Sequence, residues 1–134
     1  MGQRMIIADT NIWIDFIRKP NSDAANVVRA LLGKDQLALV GVVLAEVLRG
    51  LRGRREKFQD LLDAVPFLEM SKRTWVAASG IAQQLDSVGS PIPMGDAFIA
   101  AIALEGDHEV FTRDKHFDRV PGLRLYKLEG GADA

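Results

Sequence analysis

Four acidic residues stand where a parallel sheet would gather them. Asp9 follows the apolar run Met5-Ile6-Ile7-Ala8, and Glu46 lies within Val42-Val43-Leu44-Ala45-Glu46-Val47-Leu48. Asp96 precedes a stretch of small and apolar residues, and Asp114 comes two residues after Glu109-Val110-Phe111-Thr112. In open parallel sheets, ligands bind outside the carboxyl ends of the strands, at the switch point. Four carboxylates gathered there repel one another, and each gains by taking up a proton. A divalent cation removes that cost. The chain has no cysteine and no paired histidine motif, so its hard oxygen donors favour Mg²⁺ or Mn²⁺ over Zn²⁺. Mg²⁺ keeps several waters and is completed by substrate phosphates. That points to phosphoryl chemistry, in which a metal polarises the scissile phosphate, generates hydroxide and stabilises the leaving oxygen.

Each acid also has a plainer role when taken alone. Asp9 can cap the following helix, although Asn11 is the better placed cap. Asp96 suits a helix start through the helix dipole. Asp114 suits a turn. Glu46 can face solvent, but its apolar neighbours place it on a helix that must pack on the sheet, where a carboxylate needs a partner.

The elements that would hold these residues follow from hydrophobic pattern and breakers. Residues 5–8 and 37–40 are short continuous apolar runs, as in strands buried on both faces. A helix over 12–18, capped by Asn11, ends at Lys19-Pro20-Asn21. Ser22 caps the next helix, whose stripe is Val27, Val28, Leu31 and Leu32 and whose stop is Gly33. Gly41 leads into a helix over 42–49, broken by Gly50 and Gly53, and a further helix covers about 56–62. Residues 66–69 form a weak strand. Ser71 caps a long helix with Trp75, Ala78, Ala82 and Leu85 on one face. Residues 89–95 form a loop, and 97–104 a helix buried nearly all round. Residues 109–112 form a strand, 123–128 an edge strand, and 129–134 a frayed tail. Alternating strands and helices predict an α/β fold with a mostly parallel sheet between helical layers.

Composition bounds the function. The 134 residues suit one domain, 1–134, with a core over about 5–128. Apolar residues make up 48 %, too many for a disordered chain. Seventeen basic and 18 acidic residues give a formal charge of −1, so nucleic acid would have to be held by a local patch rather than by bulk charge. One such patch is available. Arg49, Arg52, Arg54, Arg55 and Lys57 are interrupted by a single acid, Glu56; the stretch is either a phosphate-tracking surface or a solvated loop. Arg113 and Lys115 flank Asp114 and can hold a phosphate backbone. The absence of cysteine excludes disulfides, thiolate metal sites and cysteine nucleophiles. The apolar segment 5–8 is too short for a signal-peptide core, and no run approaches a membrane span, so a cytoplasmic location is expected.

Four segments together resemble PIN domains. Asp9-Thr10-Asn11-Ile12-Trp13-Ile14-Asp15 is similar to their opening, and Leu44-Ala45-Glu46-Val47-Leu48-Arg49-Gly50 to their second motif. Asp96-Ala97-Phe98-Ile99-Ala100-Ala101 is similar to the third. Thr112-Arg113-Asp114-Lys115-His116-Phe117, followed by Val120-Pro121-Gly122-Leu123, is similar to the last. Any one motif is weak, but four in this order in so short a chain are specific. The nearest branch is the VapC-type toxins, single-domain PIN ribonucleases of type II toxin–antitoxin pairs.

The resemblance implies an α/β/α sandwich and an endoribonuclease dependent on Mg²⁺ or Mn²⁺. It also implies a homodimer and a cognate VapB-type antitoxin that joins it in a hetero-oligomer and blocks the site. Carried over by position, Asp9, Glu46, Asp96 and Asp114 are the acidic, metal-holding quartet, supported by Thr10 or Asn11 and by Thr112. The basic region after Glu46 is a second place where the antitoxin would meet the chain. One position departs from the pattern: many relatives carry an acid where this chain has His116. Asp118 lies near enough in sequence to substitute, and His116 is either a phosphate or supporting contact or an exposed helix residue.

Other classes fit less well. A receiver domain needs an acidic pair after the first strand and a phosphoacceptor Asp after a central one, and a haloacid-dehalogenase phosphatase needs Asp-x-Asp. Asp9-Thr10-Asn11 supplies neither pair. A housekeeping PIN nuclease of RNA processing is the alternative within the same chemistry.

Overall fold

A computed structural model describes residues 3–128. The expected tail, 129–134, lies outside them. The strands are β1 (Ile6–Ala8), β2 (Leu37–Val40), β3 (Phe67–Leu68), β4 (Glu109–Phe111) and β5 (Arg124–Leu125). They form one parallel sheet in the order β3-β2-β1-β4-β5. The helices are α1 (Thr10–Arg18), α2 (Asp23–Gly33), α3 (Gly41–Leu51), α4 (Arg55–Ala64), α5 (Lys72–Ser87) and α6 (Met94–Gly106), with a 3₁₀ turn at Lys115–Arg119.

The α/β/α expectation holds, and the strand order locates its working edge. The chain winds outward from β1 through β2 to β3, then returns to β4 on the other side of β1. Right-handed crossovers therefore put α1–α4 over one face and α5–α6 over the other. The direction reverses between β1 and β4, which pair from Ile6↔Glu109 to Ala8↔Phe111. Ligands collect at such a switch point. The residues that leave β1 and β4 there are Asp9 and Thr112.

The central strands β1 and β2 are buried along their whole length, as their unbroken apolar runs require. Trp13, Phe111 and Phe117 are the largest fully enclosed side chains. Trp13 is therefore core. Phe98 is half-buried and meets the exposed Trp75 edge-on at 4.8 Å. Ala78, Ala97, Ala100 and Ala101 let α5 and α6 approach closely in a second cluster with Leu85, Ile92 and Val120.

Several boundaries differ from expectation. Gly50 does not break α3, which continues to Leu51 and stops at Arg52 in a left-handed conformation before Gly53. A side chain at 50 would press on Ile14 Cδ1 at 3.3 Å, so this glycine serves the close packing of α3 on α1. The helix carrying Asp96 starts earlier than expected, at Met94, with Pro93 at its N-cap; the fixed φ of proline is compatible with a helix entrance. The last strand shrinks to Arg124–Leu125, and it does lie at an edge.

Candidate active site

Asp9 is placed by backbone pairing. Its N–H donates to Phe111 O at 2.8 Å, extending the β1–β4 ladder by one residue. The carboxylate occupies the N-cap of α1 and accepts from Thr10 N–H at 2.7 Å. Asp9, and not Asn11, is therefore the cap. Asn11 sits inside the first turn and reaches across the switch point instead. Its Nδ2 donates to Asp9 Oδ2 at 3.3 Å and to Thr112 Oγ1 at 3.4 Å, and its Oδ1 accepts from Arg113 N–H at 3.3 Å. Thr112 donates its hydroxyl to Asp9 Oδ2 at 2.8 Å and accepts from Asp114 N–H at 2.9 Å. The exits of β1 and β4 are thus locked by side-chain bonds.

Glu46 is not the half-buried group its apolar neighbours suggested. It lies on the exposed side of α3, while Val43 and Val47 fill the core. Thr10 donates to Glu46 Oε1 at 2.5 Å and so aims it at the acids beyond β1. Asp96, in the first turn of α6, and Asp114, at the N-cap of the 3₁₀ turn, complete the set.

His116 joins them directly. Its Nδ1 lies 2.9 Å from Asp96 Oδ2 and 3.0 Å from Asp114 Oδ1. It is neither a solvated helix residue nor remote from the acids. Asp118, by contrast, is exposed on the same turn and makes no hydrogen bond or ion pair to the quartet among the described residues.

Charge accumulates here. Burial, the largest cause, raises the Asp9 carboxyl above its ordinary value, and the charges of Asp96 and Asp114 push the same way against the hydrogen bonds from Thr112 and Thr10. Burial also raises Asp96; the hydrogen bond from His116 opposes the shift, and the charges of Asp114 and Glu46 add to it. Asp9, Asp96 and Asp114 are therefore close enough to act on one another, and Glu46 is close enough to act on Asp96. Donor atoms of Asp96, Asp114 and His116 lie within 4.8 Å of each other. Oxygen donors carrying excess negative charge fit a hard divalent cation.

The basic residues fall into two groups. Arg49, Arg52, Arg54 and Arg55 are all exposed, at the end of α3 and the start of α4, and form no ion pair among the described residues. The Arg54 guanidinium lies 5.5 Å from the Phe58 ring centre. Lys115 is exposed beside Asp114. Arg113 is committed differently: it pairs at 3.2 Å with Asp15, whose carboxylate is nearly buried. The sequence pattern gave Asp15 no role. Its only signal was its place in the helix that Asp9 caps.

The profile of the PIN domain family matches residues 6–123. The chain belongs to the PIN domain family. Among its relatives, the VapC ribonuclease Mb1587 of Mycobacterium bovis is 28 % identical over 134 residues, covering 96 % of this chain and 98 % of the relative. Ribonuclease VapC11 of Mycobacterium tuberculosis matches to the same extent. Solved structures share the fold. The DNA-bound VapBC of Salmonella typhimurium gives a TM-score of 0.80 at 20 % identity, over 92 % of this chain and 98 % of the other. VapBC-1 of nontypeable Haemophilus influenzae gives 0.76 at 26 %, over 91 % and 96 %.

Proposed function

We propose that this chain is the ribonuclease toxin of a VapBC-type toxin–antitoxin pair. In this reading it hydrolyses RNA phosphodiester bonds endonucleolytically with Mg²⁺ or Mn²⁺. What supports the proposal is the set of Asp9, Glu46, Asp96 and Asp114 around the switch point, with the Asp9 and Asp96 carboxyls raised chiefly by burial and further by neighbouring carboxylate charge. Those four carboxylates would hold the cation. Bound there, it would supply Lewis-acid polarisation of the phosphate and a water acidic enough to act as nucleophile near neutral pH.

The chain's own groups do the positioning. Thr112 and Asn11 fix the Asp9 carboxylate, and Thr10 fixes Glu46. The exposed Lys115 and the strip Arg49, Arg52, Arg54 and Arg55 would hold the RNA backbone, whose phosphates reward any neutralising cation. Arg113 contributes mainly by bracing the β4 exit against Asp15.

The same negative pocket would draw an arginine of a VapB-type antitoxin, which can bridge two carboxylates. A homodimer, assembled with antitoxin into a hetero-oligomer in the cytoplasm, completes the reading. No helix among the described residues is long and apolar enough to cross a membrane. Sequencing RNA ends after induced expression tests it. Hydrolysis by an activated water leaves 5′-phosphate and 3′-hydroxyl ends; 2′,3′-cyclic phosphates would overturn the proposed chemistry.

A further inference from the structure

We propose that His116 is itself a ligand of the bound cation, beside Asp96 and Asp114, and that its nitrogen turns this site away from Mg²⁺ toward first-row transition ions. The inference rests on the reading of the acidic site as a metal centre. Neighbouring ligands of an octahedral ion with bonds of about 2.1 Å lie about 3.0 Å apart. His116 Nδ1 stands 2.9 Å from one Asp96 oxygen and 3.0 Å from one Asp114 oxygen. The spacing of one hydrogen bond to Asp96 and one close approach to Asp114 is thus also the spacing of adjacent ligands, and an ion can enter with little movement of the ring.

The ring is held in that place by its own backbone. Asp114 Oδ1 accepts from His116 N–H at 2.9 Å and so tightens the 3₁₀ turn. Asp114 N–H is itself fixed on Thr112 Oγ1. Phe117, the next residue, is buried in the main core and pins the turn from beneath. Nε2 makes no hydrogen bond among the described residues, and the side chain is 37 % exposed. With an ion bound, the ring would carry its hydrogen on the open Nε2 side and offer Nδ1 to the ion. His108, the other histidine, plays no part: its Nδ1 accepts from Met5 N–H, at the opposite end of β4.

The consequence is selectivity. Mg²⁺ takes an oxygen shell with several waters. Imidazole suits transition ions far better than it suits Mg²⁺. A carboxylate at position 116 would restore an all-oxygen set and favour Mg²⁺.

The test uses the full chain without RNA and Mn²⁺ alone as the probe. Pulsed electron paramagnetic resonance of the Mn²⁺-loaded protein should show imidazole ¹⁴N modulation, absent in His116→Asp and His116→Gln. In calorimetric titrations, the preference for Mn²⁺ over Mg²⁺ should fall about tenfold in His116→Asp, at the lower end of what changes around metal sites cost. If Mn²⁺ binds wild type, is lost in Asp96→Asn and yet shows no ¹⁴N coupling, His116 is not a ligand while the metal centre stands. If wild type holds Mn²⁺ no better than Asp96→Asn does, the metal centre fails and this inference with it.

Discussion

Asp9 and Asp96 carry the sharpest consequence at the scale of single residues. Both are held protonated to higher pH than the ordinary carboxylate value of 3.8. Between 3.8 and their raised values, the folded chain binds more protons than the unfolded one. Stability of the metal-free protein should therefore fall as pH rises through that window, with the full penalty present above it. Asp96→Asn removes one such penalty. Its metal-free melting temperature at neutral pH should equal or exceed that of wild type, with a flatter dependence on pH. A melting temperature many degrees lower would mean a structural carboxylate. Arg113→Ala should behave oppositely, because it strands the nearly buried Asp15. A loss of about 1 kcal/mol is expected in denaturant melts, and no loss would show the pair to be idle. Identity at the site was legible in the sequence where acids follow strands, as with Asp9 and Asp114. Its contacts were not. Asn11 and Asp9 both qualify as caps by residue type, and only the approach of β4 decides that Asn11 turns to Thr112 and Arg113. Glu46 misled for a related reason: apolar neighbours on a helix report which face is buried, and Glu46 lies off the face that Val43 and Val47 share.

At the scale of elements, strands and helices were readable from pattern, while their ends were set by tertiary packing. Gly50 looks like a breaker in sequence and is a contact point between α1 and α3 in the fold. The α6–β4 connection gives a second instance. Asp107 closes α6 in a left-handed conformation, and His108 then turns inward to accept from Met5 N–H at 2.9 Å, tying the end of α6 to the start of β1. A Cβ at Gly106 would lie 2.2 Å from His108 Nε2. Gly106→Ala must displace that ring and break the Met5 bond, leaving a buried donor unpaired. A loss of roughly 1–3 kcal/mol is expected. Hydrogen exchange at the Met5 amide should rise with it; unchanged exchange and stability would show that the ring yields without losing its partner.

For the whole molecule, the parallel sheet was legible because β1 and β2 are apolar throughout, and the order of its strands was not, since no local pattern fixes which side of β1 receives β4. That order sets the exits of β1 and β4, which carry Asp9 and lead to Asp114, side by side. The near-zero net charge makes local charge decisive for RNA. Replacing Arg52, Arg54 and Arg55 together by alanine should weaken RNA binding and flatten its salt dependence, each lost phosphate contact lowering the slope by about one. An unchanged slope would return that strip to the role of a solvated loop. A homodimer is expected because a two-fold pair doubles the surface available to a folded RNA. Light scattering at micromolar concentration checks it, and a monomeric mass would count against it. The central claim is that the carboxylates at the switch point make a metal-dependent ribonuclease, and purified protein with RNA tests it most directly. Wild type should cleave with Mg²⁺ or Mn²⁺ and fall silent in EDTA, and Asp96→Asn, folded to the same extent, should not cleave under either condition. Full cleavage in EDTA, or by folded Asp96→Asn, would contradict it.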